Sequence, residues 1–191
     1  MRPSLLSWLL AGSLCGTLAG PLEAAGKKPI GDRLKGLMGT EAQPVQAQLV
    51  AEHASLQPGG RTRVGVSFTI QEGWHIYAQN PGDAGRPTKI VWFGPWGATF
   101  SPLVWPKPQA FIDPGDIKTF GYTNAVLLSS TLSLSSTVKA AVQVKAKAEW
   151  LACKEACIPG SAELELTLLV SDATPALSTH ANFFEHTGKR E

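Results

Sequence analysis

The sequence predicts an all-β sandwich, and three observations carry that prediction. Apolar residues recur with a period of two in several separate runs, the pattern of strands with one buried face. Turn-forming Gly, Pro, Asn and Asp punctuate those runs at short intervals. Pro95, Pro102, Pro106, Pro108 and Pro114 crowd the middle of the chain. They exclude long helices there and confine that stretch to loops and edge strands. About eight short strands separated by turns describe a sandwich, flanked by short irregular N- and C-terminal segments.

Residues 1–25 read as a signal peptide. Arg2 supplies the positive start, and Leu5 to Leu18 forms an apolar run. Thr17-Leu18-Ala19 and Glu23-Ala24-Ala25 offer small residues for cleavage, expected between 19 and 25. The run is shorter than the ~20 residues a membrane span needs. Bulky Leu14 stands where a lipid-attachment signal wants a small side chain, so Cys15 is expected to leave with the peptide. Residues 26–44 read as a flexible leader, with Ile30, Leu34, Leu37 and Met38 able to form one weak helical turn.

Residues 45–170 carry the sandwich. Val45, Ala47, Leu49 and Ala51 alternate with polar neighbours, and Pro58-Gly59-Gly60 then marks a turn. Val64, Val66, Phe68 and Ile70 line one face of the next strand. Gly73 precedes a short aromatic strand, Trp74 to Ala78, in which His75 is expected on the surface. Asn80 to Gly85 is a dense turn cluster, and Thr88 to Phe93 another strand. Beyond the prolines, strands are predicted over Ala125 to Leu134, Val138 to Ala152 and Ser161 to Val170, with Pro159-Gly160 breaking the last two apart. In the tail, residues 171–191, Thr174-Pro175 can start a helix through Phe184, with Leu177, Ala181 and Phe184 on one face.

A chain of 191 residues suits one domain with flanking segments. Its 17 basic residues nearly balance its 15 acidic ones, which argues against a nucleic-acid partner. No segment after the leader is apolar enough to span a bilayer, so the mature protein is expected to be soluble in a compartment where disulfides persist.

The chemistry concentrates in Trp150-Leu-Ala-Cys153-Lys-Glu-Ala-Cys157-Ile-Pro159-Gly160. Cys153 and Cys157 are the cysteines expected in the mature protein. They flank a three-residue turn between two strands, close enough for a disulfide, which needs Cα atoms ~4.4–6.8 Å apart. Counting alternation from Val138 puts Trp150 on the apolar face and Cys153 on the polar face, within reach of another protein. A disulfide around so short a loop contributes only ~2 kcal/mol by chain entropy, against ~4.7 for a hundred-residue loop. The pair is therefore better placed for thiol–disulfide exchange than for stapling. Lys154 beside Cys153 favours a thiolate and Glu155 opposes it. Lys147, ~20 Å away along an extended strand, is too distant to matter.

Two other readings stay open at this point. The pair can be a static disulfide in a non-enzymatic interaction module. Reduced, its two soft sulfurs could hold Cu(I). His53, His75, His180 and His186 are scattered without zinc-ligand spacing, and no nucleophile elbow of the Gly-x-Ser-x-Gly kind occurs. No cofactor is expected.

The cysteine stretch resembles the hairpin of the N-terminal periplasmic domain of DsbD-type thiol:disulfide interchange proteins, most of all the ScsB-like branch associated with copper tolerance. Gly73-Trp-His-Ile-Tyr77 with Asn80-Pro-Gly-Asp-Ala-Gly85 and Pro87-Thr88 is similar to the family's early signature. Trp105-Pro-Lys-Pro108 resembles its middle, and Phe120-Gly-Tyr122 leading into Val126-Leu-Leu128 the segment after its cap loop. The resemblance covers about Val45 to Val170.

That resemblance implies an immunoglobulin-like sandwich whose Cys153 and Cys157 cycle between dithiol and disulfide. Electrons would arrive from a separate membrane-embedded donor through a thioredoxin-like domain and pass to periplasmic thiol oxidoreductases. An aromatic loop, here about Phe111 to Tyr122, would shield the pair until a partner docks, with Phe120 and Tyr122 as the shielding residues. Two departures stand out: DsbD itself has more than three residues between its cysteines, and this chain stops where the family continues into its membrane domain.

Overall fold

The alternation in the sequence becomes two packed sheets in the computed structural model, which describes residues 43–113 and 115–185. The expected signal peptide, nearly all of the leader, and the last six residues of the tail lie outside the described residues. The strands are β1 (Val45–Ala51), β2 (Ser55–Leu56), β3 (Arg61–Ile70), β4 (His75–Gly82), β5 (Lys89–Phe93) and β6 (Ala98–Phe100). There follow β7 (Gln109–Asp113), β8 (Ile117–Tyr122), β9 (Ala125–Leu134), β10 (Val142–Cys153) and β11 (Cys157–Val170). One sheet runs β1-β3-β9-β6; the other runs β2-β11-β10-β4-β8-β7, with β5 also paired to β10.

The core fills the space between the sheets. Val64, Val66, Phe68 and Ile70 of β3 face Val144, Ala146, Ala148, Trp150 and Ala152 of β10, all buried. Phe68 meets Trp150 edge to face, with ring centroids 5.4 Å apart. On the opposite face of β10, Lys145 pairs with Glu165 at 2.5 Å and Lys147 with Glu149 at 3.1 Å, both pairs exposed. The middle of β10 is thus apolar inward and charged outward, as period-two patterning requires.

Several boundaries differ from the sequence expectation, for identifiable reasons. β10 starts at Val142, not Val138, because the Ser135 hydroxyl accepts from the Thr137 amide and turns the chain there. β11 starts at Cys157, and Pro159-Gly160 lies inside it. β2 pairs with β11 only at Leu169 and Val170, so at Pro159 the strand is an edge and tolerates a missing N–H. Gly160 sits opposite Trp150, where a Cβ would come within 2.4 Å of the indole. The proline-rich stretch does supply strands, and β6 and β7 lie at sheet ends, where proline-flanked segments fit.

The tail is not the expected helix. Residues 176–178 run extended beside the end of β1: Ala54 N–H donates to Ala176 O and Ser178 N–H to Glu52 O, both at 2.9 Å. Those pairings consume the backbone groups a helix would need. A single 3₁₀ turn follows over Ala181–Phe184. Phe184 is fully buried with Val50 and Leu127 on the outer face of the first sheet, while Leu177 is 67% exposed. Arg63 clamps this tail, donating to Phe184 O at 2.6 Å and making two hydrogen bonds to Glu52 at 2.9 and 2.6 Å.

The hydrogen bonds from Arg63 hold the Glu52 carboxyl below its ordinary range, against the opposing effect of partial burial. A depressed acid contributes stability above its unfolded pKa of ~4.3 and loses it as pH falls through the lower folded value. Glu52→Gln should therefore cost ~1 kcal/mol at neutral pH and flatten the acid limb of thermal stability against pH, measured by calorimetry. An acid limb that keeps its wild-type slope would contradict this role.

Candidate functional site

The cysteine site is built by strand register. Cys153 ends β10 and Cys157 begins β11, and the two are direct partners in that antiparallel ladder. They are joined by a disulfide, with Cα atoms 4.1 Å apart. Lys154, Glu155 and Ala156 form the connecting turn, closed by Lys154 N–H donating to Ala156 O at 3.2 Å. The same Cys153 is also the partner of His75, the first residue of β4, on its other side.

Alternation places Cys153 on the outer face of the sheet, as the count from the sequence has it, but the thiol position is not open. Cys153 is only 3% exposed, whereas Cys157 is exposed. Buried neighbours on the outer face account for the difference. Tyr77 O–H donates to Cys153 Sγ at 3.3 Å. His75 lies edge-on to Tyr77, centroids 5.1 Å apart, and stacks on Phe111 of β7 at 4.6 Å with the rings 16° from parallel. The expectation of a surface His75 is thereby corrected: it is 7% exposed, because the β7–β8 hairpin brings Phe111 onto it.

Tyr77 is fixed from behind. Its carbonyl accepts from the Thr88 hydroxyl at 2.9 Å. Gly85, at φ +98°, lies so close to its ring that a Cβ would come within 2.3 Å. Lys154 lies along Gly73, with Cε 3.0 Å from where a Cβ would stand.

Phe120 and Tyr122 occupy the inner side of β8. Tyr122 pairs with Ile76, belongs to the core, and donates its hydroxyl to Pro106 O at 2.7 Å. Burial pushes its pKa up to about 12, so it stays neutral. Phe120 packs against the core with Lys118 Nζ 5.4 Å from its ring centroid. The loop region named from the sequence does reach the site, but through Phe111; neither Phe120 nor Tyr122 shares a face with Cys153. The signal that could have found Phe111 is the same alternation: it faces Thr119 across β7–β8, and Thr119 and Gly121 lie on the face opposite Phe120 and Tyr122. Among the described residues, no group of three or more His, Cys, Asp or Glu is arranged to hold a metal ion.

Residues 41–169 match the family model described as thiol:disulfide interchange protein DsbD, N-terminal. The chain belongs to the DsbD N-terminal family. Among solved structures it is similar to the N-terminal periplasmic domain of ScsB from Proteus mirabilis, with 21% identity and a TM-score of 0.56, over 76% of this chain and 53% of that one. This chain therefore spans about half the length of that solved domain, and the likeness shows a shared immunoglobulin-like sandwich. The reduced DsbD N-terminal domain of Neisseria meningitidis matches at 19% identity and a TM-score of 0.36, over 63% of this chain and 86% of that one. No curated protein matches the sequence. Membership of the DsbD N-terminal family together with the Cys153–Cys157 disulfide supports a thiol:disulfide exchange module. Among the described residues no helix is long and apolar enough to cross a membrane.

The difference in burial makes the two thiols unequal once reduced. Iodoacetamide should alkylate Cys157 at least roughly tenfold faster than Cys153 at neutral pH, as read by peptide mass spectrometry of briefly treated reduced protein. Equal rates would mean that the aromatic cover over Cys153 does not persist in the dithiol form.

Proposed function

We propose that this domain passes reducing equivalents between proteins through Cys153 and Cys157, as a periplasmic thiol:disulfide oxidoreductase module. The observation that carries this reading is the asymmetry of the pair: one sulfur belongs to an exposed residue and the other to a buried, hydrogen-bonded one. An incoming donor thiolate attacks Cys157 Sγ. The S–S bond breaks, its electron pair leaves on Cys153 Sγ, and a mixed disulfide forms between donor and Cys157. The donor's second thiolate then displaces Cys157, and the domain is left with two thiols after taking up two electrons and two protons. The reverse sequence delivers them to an oxidised acceptor.

The donor in this reading is a thioredoxin-like domain fed by a separate membrane-embedded protein, and the acceptors are periplasmic thiol oxidoreductases. Family membership and the export signal read in residues 1–25 support those partners and that compartment. Phe111, with His75 and Tyr77, serves as the cover that a docking partner must displace or bypass; Phe120 and Tyr122 contribute by holding β8 in the sheet.

The test is trapping. Cys153→Ser leaves Cys157 without its resolving thiol and should accumulate mixed disulfides with thioredoxin-like proteins, seen as reducible high-mass bands on non-reducing gels. Cys157→Ser, with only the buried thiol, should accumulate far fewer. If neither variant forms such adducts, the disulfide is static and the exchange reading falls.

A further inference from the structure

His75 has no part in the exchange steps above, yet it is a buried ionisable side chain directly across the ladder from Cys153. We infer that His75 is the acid–base group of the site, giving a proton to Cys153 Sγ as the disulfide opens and taking it back as the disulfide re-forms. This rests on the exchange reading and deepens it.

The need for such a group follows from burial. Attack at Cys157 throws a full negative charge onto Cys153 Sγ, which belongs to a residue 3% exposed. Thiolates in apolar surroundings are disfavoured, and disulfide cleavage slows as the leaving thiol's pKa rises. The Tyr77 hydroxyl donates to that sulfur at 3.3 Å and spreads some of the charge. With an unperturbed pKa of ~10, a phenol does not surrender its proton readily near neutral pH, whereas an imidazole, at ~6.5, does.

Geometry puts the imidazole in position. Directly opposed residues of an antiparallel pair have Cβ atoms ~4.5–5.5 Å apart on the same face, and His75 and Cys153 are such a pair. Phe111 stacked on one side and Tyr77 edge-on fix the ring's plane. Among the described residues, few titratable or charged groups are placed near it by strand register. β10 contributes Cys153, β4 contributes Tyr77, and the turn contributes exposed Lys154 and Glu155. β8 offers the uncharged Thr119, and β7 offers Phe111, with Asp113 two residues further along that strand.

The step balances. A donor thiolate attacks Cys157 Sγ, the S–S bond breaks toward Cys153 Sγ, and the His75 imidazolium protonates that sulfur, leaving a neutral imidazole and a Cys153 thiol. Solvent reprotonates the imidazole. In the reverse direction neutral His75 removes the Cys153 proton as its sulfur attacks the mixed disulfide at Cys157.

The experiment measures reduction of the oxidised full chain by dithiothreitol across pH 5–9, with rate constants normalised to dithiothreitol thiolate. Wild type should speed up as pH falls, because the imidazolium form supplies the proton. His75→Phe and His75→Gln should be flat with pH and slower by roughly 10–100-fold at pH 6. Free imidazole should restore part of the rate to His75→Ala. Near-ultraviolet circular dichroism identifies the variants that fold, and the glutamine and alanine variants carry the test if phenylalanine disrupts the site. Folded variants that keep the wild-type pH profile, with no imidazole rescue, would overturn the assignment while leaving the exchange reading intact. A wild-type disulfide that dithiothreitol cannot reduce would remove both.

Discussion

Everything at this site depends on the register of β10. One residue, Cys153, is paired on both sides of its strand: with Cys157 across the hairpin and with His75 of β4. A slip of one residue would turn Cys153 toward the core and Ala152 outward. The register is held by what lies further along the strand, where Val144, Ala146, Ala148 and Trp150 all require the inner face. The same apolar packing that stabilises the sandwich therefore aims the sulfur.

The outer face changes character along β10. In its middle the face is wet and charged, with Lys145, Lys147 and Glu149 exposed. At the hairpin end the same face is dry, because Tyr77, His75 and Phe111 gather there and the loop at Gly85 presses on Tyr77. A disulfide half in that dry patch and half outside it offers one sulfur to an incoming thiol and shelters the other. The burial that covers Cys153 also makes its thiolate costly, so in the proposed exchange one cluster of side chains would both shield the sulfur and supply its proton.

Much of this was legible in the sequence, and the rest failed for physical reasons. Period-two patterning located β1, β3, β9 and most of β10 and β11, because those strands bury one face against the core. The cysteine hairpin was legible from spacing alone. Depth of burial was not: alternation assigns a face to His75 and Cys153, but only the fold shows that a second hairpin covers that end. The same limit explains Phe111, whose stacking on His75 is a contact between residues distant in sequence. The tail misled because its helical spacing is real, yet Ala54 and Glu52 offer it extended pairing and Val50 with Leu127 offer Phe184 a buried seat.

The central claim is that the Cys153–Cys157 bond opens and closes under the reach of protein dithiols. Its most direct measurement is the equilibrium reduction potential, titrated in glutathione or dithiothreitol buffers with alkylation to count free thiols. The account predicts a potential above about −300 mV, where thioredoxin-like donors can reduce the pair. A potential well below that value would describe a permanent structural bond and contradict it.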